Sequence, residues 1–383
     1  MAARNDDIPV CQLYMSADGK DWRDVTPPLR SVDVEDHDRL TDKATIVFDD
    51  PGGALAHASF EGLTVRVALG WGDRTATIFE GVIAGHRVIA TQDSQWLELT
   101  ALDFTFRMTG HTPDPPRVWD NGERLSDVVR ALVTRPENHI VAAQIEPTDD
   151  RRFDKKSPLR QANVNDWEFV LDLARRQNCL SFVEFDGHEQ SRFSFVPIAK
   201  VVAARPVGEL RYTCGGGHLL EFDYERVSAA APPLRQESTV DPVSGHLVVE
   251  PAAAPEQRPA LPPPAAAHLD PQHRRALESL TELAAVADAR LTRPAERVAG
   301  AAADPAAAAA RVVPDPTKRL GFSGRGVATG NVALRAKSMV TIKGVASWAE
   351  GDWYVTKANH VFTRAAGTGR ARPGYYTKFT ATR

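Results

Sequence analysis

The chain has 383 residues and a formal net charge of −4, with 43% hydrophobic and 25% charged residues. That length allows about two or three domains, and the balance is ordinary for a globular protein with a buried core. It excludes the basic footprint of a nucleic-acid-binding protein, and no run approaches the ~20 apolar residues of a membrane span.

In chain order, residues from about Val10 to Met108 predict β-structure. Ala44, Ile46 and Phe48 alternate with polar or smaller neighbours, as do Val65, Val67 and Leu69, then Leu97, Leu99 and Ala101. Period-two alternation places one set of side chains on an inner face. Turn signals separate the runs at Ala17-Asp18-Gly19, Asp50-Pro51-Gly52-Gly53, Gly70-Trp71-Gly72-Asp73 and Gln92-Asp93-Ser94. Many short, regularly punctuated strands favour a barrel or sandwich.

The middle, about Asn121 to Asn178, predicts helix. Leu125, Val128, Val129, Leu132 and Val133 follow the spacing of a buried helical face. Pro147 to Pro158 reads as a polar connector. In the next helix Asn165 and Glu168 form a reciprocal cap. There Trp167, Val170, Leu171 and Ala174 share a face. Asp166 and Glu168 near its start, and Arg175 and Arg176 near its end, complement the helix dipole. Strands resume at Cys179, with Phe185-Asp186-Gly187-His188 as a hairpin turn and Phe193 and Phe195 on the returning strand.

From about Ala229 to Pro316 Pro and Ala dominate, as in Pro262-Pro263-Pro264 and Ala306 to Ala310. One helix is expected inside. Asp270 caps it, Pro271 suits its first turn, and Leu277, Leu280, Ala284, Ala287 and Leu291 share a face until Arg293-Pro294 ends it. Its Pro-rich flanks read as stiff connectors, and the region as an insertion within one domain. After Thr317 the glycines Gly321, Gly324, Gly326 and Gly330 punctuate the re-entry to strands Met339–Val345, Trp353–Phe362 and Tyr375–Thr382.

These landmarks, in this order, resemble the phage late control protein D family, the baseplate hubs of contractile tails related to the VgrG-type spike hub. The resemblance rests first on Asn165-Asp166-Trp167-Glu168-Phe169 followed by Leu173-Ala174-Arg175-Arg176 and a strand. Phe79-Glu80-Gly81-Val82-Ile83 with Leu99-Thr100-Ala101-Leu102-Asp103 resembles a barrel hairpin. Leu125-Ser126-Asp127-Val128-Val129 resembles the helix after it. Gly351-Asp352-Trp353-Tyr354-Val355, His360 and Gly374-Tyr375-Tyr376-Thr377 resemble the closing strands. Trp353-Tyr354 stands where one aromatic is usual, Tyr376 is extra, and the insertion is not covered.

Candidate chemistry is sparse, and we assign no catalytic, cofactor-binding or metal residue. A glycosidase needs two carboxylates across its bond, but Asp49-Asp50 and Asp149-Asp150 read as solvated turn residues. His360 reads as a packed, hydrogen-bonded histidine. Gly321-Phe322-Ser323-Gly324-Arg325 lacks the last glycine of a nucleophile elbow. Gly324-Arg325-Gly326 and Gly215-Gly216-Gly217 lack the spacing of nucleotide fingerprints. Trp71, Trp96, Trp348 and Trp353 could form a sugar platform, although packing is the stronger reading. Cys11, Cys179 and Cys214 lack metal or disulfide spacing and read as buried thiols made in a reducing cytoplasm. Met1–Pro9 is polar, unlike a signal peptide.

The expected fold is mainly β with α (α+β), with two similar β-barrel domains of the tail-hub type. Residues 1–110 would form the first barrel, 111–179 a helical middle segment, 180–228 with 317–383 the second barrel, and 229–316 the insertion. The resemblance implies a non-enzymatic homotrimer, a pseudo-sixfold ring that adapts a hexameric tube to a trimeric spike. Its implied partners are the spike protein below, the tail tube or tube-initiator protein above, and other baseplate proteins. Neither nucleic-acid binding nor membrane insertion is expected. The hub would assemble in the bacterial cytoplasm, without a fused spike, as part of a phage tail or contractile injection particle. The insertion would reach a neighbouring baseplate component. The alternatives are a tail-associated cell-wall hydrolase and a carbohydrate-binding tail protein.

Overall fold

Alternation in the first third of the chain produces paired strands in the computed structural model. It describes residues 8–92, 94–185, 190–213, 217–226, 234–240, 247–249, 270–289, 295–298, 322–347, 349–364 and 374–383. The first strands are β1 (Pro9–Ser16), β2 (Arg23–Asp24), β3 (Leu29–His37), β4 (Lys43–Asp49), β5 (Thr64–Trp71), β6 (Arg74–Ala90) and β7 (Gln95–Leu102). Next come α1 (Thr105–Thr109), β8 (Arg117–Arg124), α2 (Leu125–Val133), β9 (Ala142–Ile145), β10 (Arg152–Gln161) and α3 (Asp166–Arg176). They are followed by β11 (Cys179–Phe185), β12 (Ser191–Pro197), α4 (Ile198–Val202), β13 (Glu209–Arg211) and β14 (Leu219–Arg226). The insertion contributes β15 (Leu234–Val240), β16 (Leu247–Val249), α5 (Pro271–Ala289) and β17 (Ala295–Val298). The chain closes with β18 (Phe322–Thr329), β19 (Ser338–Lys343), β20 (Gly351–Thr363) and β21 (Gly374–Thr382).

One sheet runs β14-β18-β21-β20-β3-β4-β7-β6-β5-β1-β2, with β19 beside β20 and β13 beside β19. Its pairings are antiparallel except β13 with β19. The inward residues expected in β4, β5 and β7 are all buried. They form a core with Leu13, Val32, Ile83, Phe362 and Tyr375. A second core gathers Val340, Ile342, Trp353, Phe379 and Ala381 from the closing strands. Each large apolar side chain taken from water contributes about 1.5–3 kcal/mol.

The two β-rich blocks expected as separate barrels are not separate. Instead β3 pairs with β20 from Lys357↔His37 to Thr363↔Ser31, which joins the halves in one sheet. No closed barrel is found among the described residues. A single parallel bridge, Tyr212↔Leu219, brings the chain just after β13 back to β14.

The middle is less helical than expected. α2 and α3 are present, and Leu125, Val128, Val129, Leu132 and Val133 are all buried. The supposed connector contains most of β10, which forms a ribbon with β8. Only Phe153, Leu159 and Gln161 of β10 are buried, so its period-two signal was too faint to read. β11 and β12 pair with each other, and β12 pairs in parallel with β9. Phe193 and Phe195 therefore pack against α2 and α3 rather than into a second barrel core.

The α3 cap is as expected. Glu168 N donates to Asn165 Oδ1 at 2.8 Å and Asn165 N to Glu168 Oε2 at 3.4 Å. Its buried face differs in part. Phe169 and Leu173 are buried with Trp167, Val170 and Ala174, while Leu171 is only partly so. In the insertion, Gln272 N donates to Asp270 Oδ1 at 2.9 Å at the start of α5. Pro262–Pro264, Ala306–Ala310, Leu291, Arg293-Pro294, Gly321 and the turn residues Asp186–His188 lie outside the described residues.

Candidate functional site

The seam between β3 and β20 ends in a buried ionic cluster. Along β3 the inward series is Val32, Val34 and then Asp36. Asp36 meets the segment that leads into β19. Arg335 Nε donates to Asp36 Oδ2 at 2.6 Å and Ala336 N to the same oxygen at 3.2 Å. Lys337 Nζ donates to Asp36 Oδ1, and to His37 O at 3.1 Å. The same ammonium lies 3.7 Å from Asp42 Oδ2 and 3.1 Å from Glu184 Oε1. It also sits 4.9 Å from the Phe182 ring centre. Phe182 and Glu184 belong to β11, so the cluster touches both sheet halves and the middle region. Lys337 has φ 61°, the left-handed region that few non-glycine residues occupy. Such a conformation persists only where surrounding contacts fix it.

A carboxylate pair extends the cluster. Asp42 N donates to Asp103 Oδ2 at 2.6 Å and Thr105 N to Asp103 Oδ1 at 2.7 Å. His37 N donates to Asp42 Oδ1 at 2.9 Å. Burial would raise the Asp36 carboxyl, but the Lys337 and Arg335 cations outweigh it and hold Asp36 well below the usual range. Asp42 moves the other way. Burial dominates there, the Asp36 and Asp103 charges add to it, and Lys337 only partly offsets them. Burial also pushes Asp103 up to about 6, against its hydrogen bonds from Thr105 and Asp42. Burial would lower Lys337, but Asp36, Asp42 and Glu184 keep it well above its usual value.

Raised carboxyls are what acid–base catalysis uses. Here the two raised carboxyls, Asp42 and Asp103, are only 5% and 4% exposed and are engaged by backbone N–H groups and by Lys337. A buried ion pair adds little net stability against an apolar substitute, but it penalises every arrangement that separates its partners. The chemistry suits a joint that fixes how three parts of the chain meet.

Sequence reading missed a second joint. Asp166, read only as a helix-start charge, is 1% exposed. It accepts from Arg117 Nη1 at 2.8 Å, Arg135 Nη1 at 2.7 Å and Gln161 Nε2 at 2.8 Å. The network ties β8, β10 and the segment after α2 to the start of α3.

The other candidates have structural roles. Asp49 is exposed and pairs with Arg30 at 3.1 Å. Asp50 is 4% exposed, a correction to its reading as solvated. It accepts from Leu55 N at 3.1 Å and Gln95 Nε2 at 3.4 Å, and so holds its turn. Asp150 accepts from Ser126 N at 2.8 Å and Ser126 Oγ at 2.9 Å at the start of α2. Asp149 N donates to Gln177 Oε1 at 2.8 Å.

His360 is fully buried, with Nδ1 2.8 Å from the Tyr375 hydroxyl and 3.3 Å from Thr377 Oγ1. Burial, then the nearby Arg335 charge, pushes it down to about 3, so the imidazole is neutral. Trp353 is wholly buried and its Nε1 donates to Ala349 O at 2.8 Å. Trp71 Nε1 donates to Gly330 O at 2.8 Å, and the Arg30 guanidinium lies 4.7 Å over Trp96. Trp353 therefore cannot serve an exposed sugar platform. Trp348, Cys214, Gly215 and Gly216 lie outside the described residues. Cys11 and Cys179 are buried free thiols. Gly324 and Gly326 lie within β18, where a Cβ would come 2.7 Å from Phe222 and 2.4 Å from Phe379. Gly81, in the hairpin motif, lies against β7, where a Cβ would come 2.2 Å from Leu102 O. Among the described residues no group of three or more His, Cys, Asp or Glu is placed to hold a metal ion. No described helix is long and apolar enough to cross a membrane.

Comparison with solved structures decides the fold. A tail protein from Neisseria meningitidis superposes with a TM-score of 0.61 at 13% identity, over 98% of this chain and 96% of its own. The chain has a tail-protein fold. The 43 kDa tail protein of Shewanella oneidensis prophage MuSo2 gives 0.57 at 10% identity, covering 98% of both chains. An Escherichia coli type VI secretion component, described as similar to phage T4 tail proteins, gives 0.53 at 11% identity. It covers 92% of this chain and 73% of that one. At these identities the likeness is one of fold. No curated protein sequence matches. A family profile described as the Alg8 N-terminal domain matches residues 56–227. It covers less than half of the chain. It also leaves β1, β3 and β4 outside while taking in β5 to β7, and so divides the first core.

Proposed function

We propose that the chain is a structural hub protein of a contractile-tail baseplate or contractile injection system. The observation that carries this is the end-to-end likeness to a tail protein of the same extent, 98% of one chain against 96% of the other. In this reading three copies form a ring with six near-equivalent lobes, set between a sixfold tube and a threefold spike. Closed rings of this kind hide strand edges between neighbours.

Two features support six lobes from three chains. Each sheet half wraps its own apolar core. In the closing half, β13, β19, β20, β21, β18 and β14 follow one another, and the Tyr212↔Leu219 bridge returns toward the start. We divide the chain into a first barrel-like unit at about 1–110, a middle unit that extends through β12 and α4, a second barrel-like unit of β13, β14 and β18–β21, and the insertion at 229–316. The ionic cluster then sets the angle between the two lobes of one copy. Assembly would take place in the bacterial cytoplasm, with the spike, tube and other baseplate proteins as partners.

The test is electron microscopy of the purified chain mixed with its spike protein, beside a zymogram on peptidoglycan. A threefold annulus with six lobes and no clearing is the expected result. A monomer or an unrelated symmetry, or clearing that depends on a single carboxylate, would overturn the reading.

A further inference from the structure

We propose that the outer edge of β14 receives an extended segment of a different protein, one in which basic and apolar residues alternate. The inference does not depend on the hub reading. β14 ends the long sheet. One side pairs with β18 from Leu219↔Ala328 to Arg226↔Phe322. On the other side, among the described residues, pairing is confined to the bridge Tyr212↔Leu219 and no described strand covers the edge from Glu221 onward.

The two faces of this edge differ in chemistry. Glu221, Asp223 and Glu225 recur at two-residue spacing and are all exposed. None of the three forms an ion pair among the described residues, although Asp223 lies directly across from Arg325 in the register. Phe222 and Tyr224 alternate with them on the opposite face. There, with Tyr212, Leu220, Gly344, Val345 and Ala346, they line an open groove of about 460 Å³ whose rim also takes in Glu221. Tyr212 and Leu220 are 41% and 44% exposed.

Charged side chains alone can serve to blunt an edge strand against unwanted pairing. That role does not account for an aromatic-lined groove beside the same edge. Together the two features are what strand addition uses, with backbone bonds supplying affinity and pockets for alternate side chains supplying selectivity. A strand laid along β14 would set its outward residues opposite three carboxylates, which favours Lys or Arg there. Its intervening side chains would enter the groove, which favours apolar ones. At the other end of this sheet β2 offers Arg23 beside Asp24, not a basic row, so that edge of a second copy does not match.

The test uses the full-length chain and fluorescein-labelled nonapeptides in an anisotropy titration. One peptide alternates lysine with valine, the second alternates glutamate with valine, and the third has the first composition with its lysines contiguous. The alternating lysine peptide should bind about 10-fold or more tightly than either other peptide, a difference of about 1.4 kcal/mol. Added salt should narrow its lead over the glutamate peptide. The variant Glu221→Lys/Asp223→Lys/Glu225→Lys should reverse that preference. If it fails to fold, Glu221→Gln/Asp223→Asn/Glu225→Gln should abolish the preference instead. Equal binding of the alternating lysine peptide and either control, or a preference untouched by the substitutions, would overturn the proposal. So would self-association that the substitutions abolish without any peptide preference, because the edge would then belong to a second copy.

Discussion

Lys337 and Asp36 stand 301 positions apart in the sequence and meet as an ion pair at the seam of the two sheet halves. Removing one partner leaves the other charge buried, which costs about 3–5 kcal/mol. Lys337→Met should therefore lower the urea midpoint at pH 7 sharply. Asp36→Asn in the same chain should recover part of that loss. Strictly additive losses in the double-mutant cycle would show that the two groups are not coupled.

His360 should make the fold sensitive to acid. Its folded value of about 3 lies below the ~6.5 of an unfolded imidazole. The stability it contributes is present above about pH 6.5 and is lost as pH falls toward 3. His360→Gln, neutral throughout, should flatten the decline of melting temperature between pH 6.5 and 4. A calorimetric pH series with the original slope would remove His360 as the cause.

Asp103 works in the opposite direction. Its folded value of about 6 exceeds the ~3.9 of an unfolded carboxyl, so the folded chain holds the proton more tightly. The unfavourable contribution is absent below about pH 4, grows as pH rises through 6, and is complete above that. Because Asp42 lies in the same network, the two carboxyls titrate jointly. Asp103→Asn keeps one acceptor for Thr105 or Asp42 and should cost about 1 kcal/mol at pH 5. It should also reduce the fall in stability between pH 5 and 7. An unaltered pH profile would mean that Asp103 keeps an ordinary value.

Two local substitutions should rank clearly. Asn165→Ala removes the α3 cap and should cost about 1 kcal/mol. Gly81→Ala puts a Cβ 2.2 Å from Leu102 O, so β6 and β7 must part, at a cost of about 3 kcal/mol, the upper end of what overpacking typically costs. Guanidinium unfolding of both variants would check the order, and an equal or reversed ranking would contradict the tight β6–β7 approach.

Much of the local structure was legible in sequence, because alternation and capping report on a residue's immediate surroundings. The inward sets of β4, β5 and β7, the buried face of α2 and the Asn165–Glu168 cap all follow from spacing. Partner choice was not legible. The β3–β20 seam joins Ser31 to Thr363, and periodicity says which face is buried without saying against what. β10 was hidden because a two-stranded ribbon buries few positions. The ionic cluster did leave a trace, since Asp36 continues the inward series Val32 and Val34 where an apolar residue belongs. Its cationic partners carry no comparable mark, because Arg335 and Lys337 precede β19 in an irregular segment. Spacing marks Asp166 only as a helix-start charge, because its arginine partners Arg117 and Arg135 lie 49 and 31 positions away.

β14 ends at Arg226 and β18 begins at Phe322, and these two residues face each other across the ladder. Residues 227–321 therefore depart from and rejoin the framework at a single doorway. β15, β16 and β17 within that span pair only with one another among the described residues, so its length does not enter the alignment of the strands outside it. Related chains could exchange it wholesale as a cassette, and a reporter domain spliced there would ride on the scaffold without disturbing it.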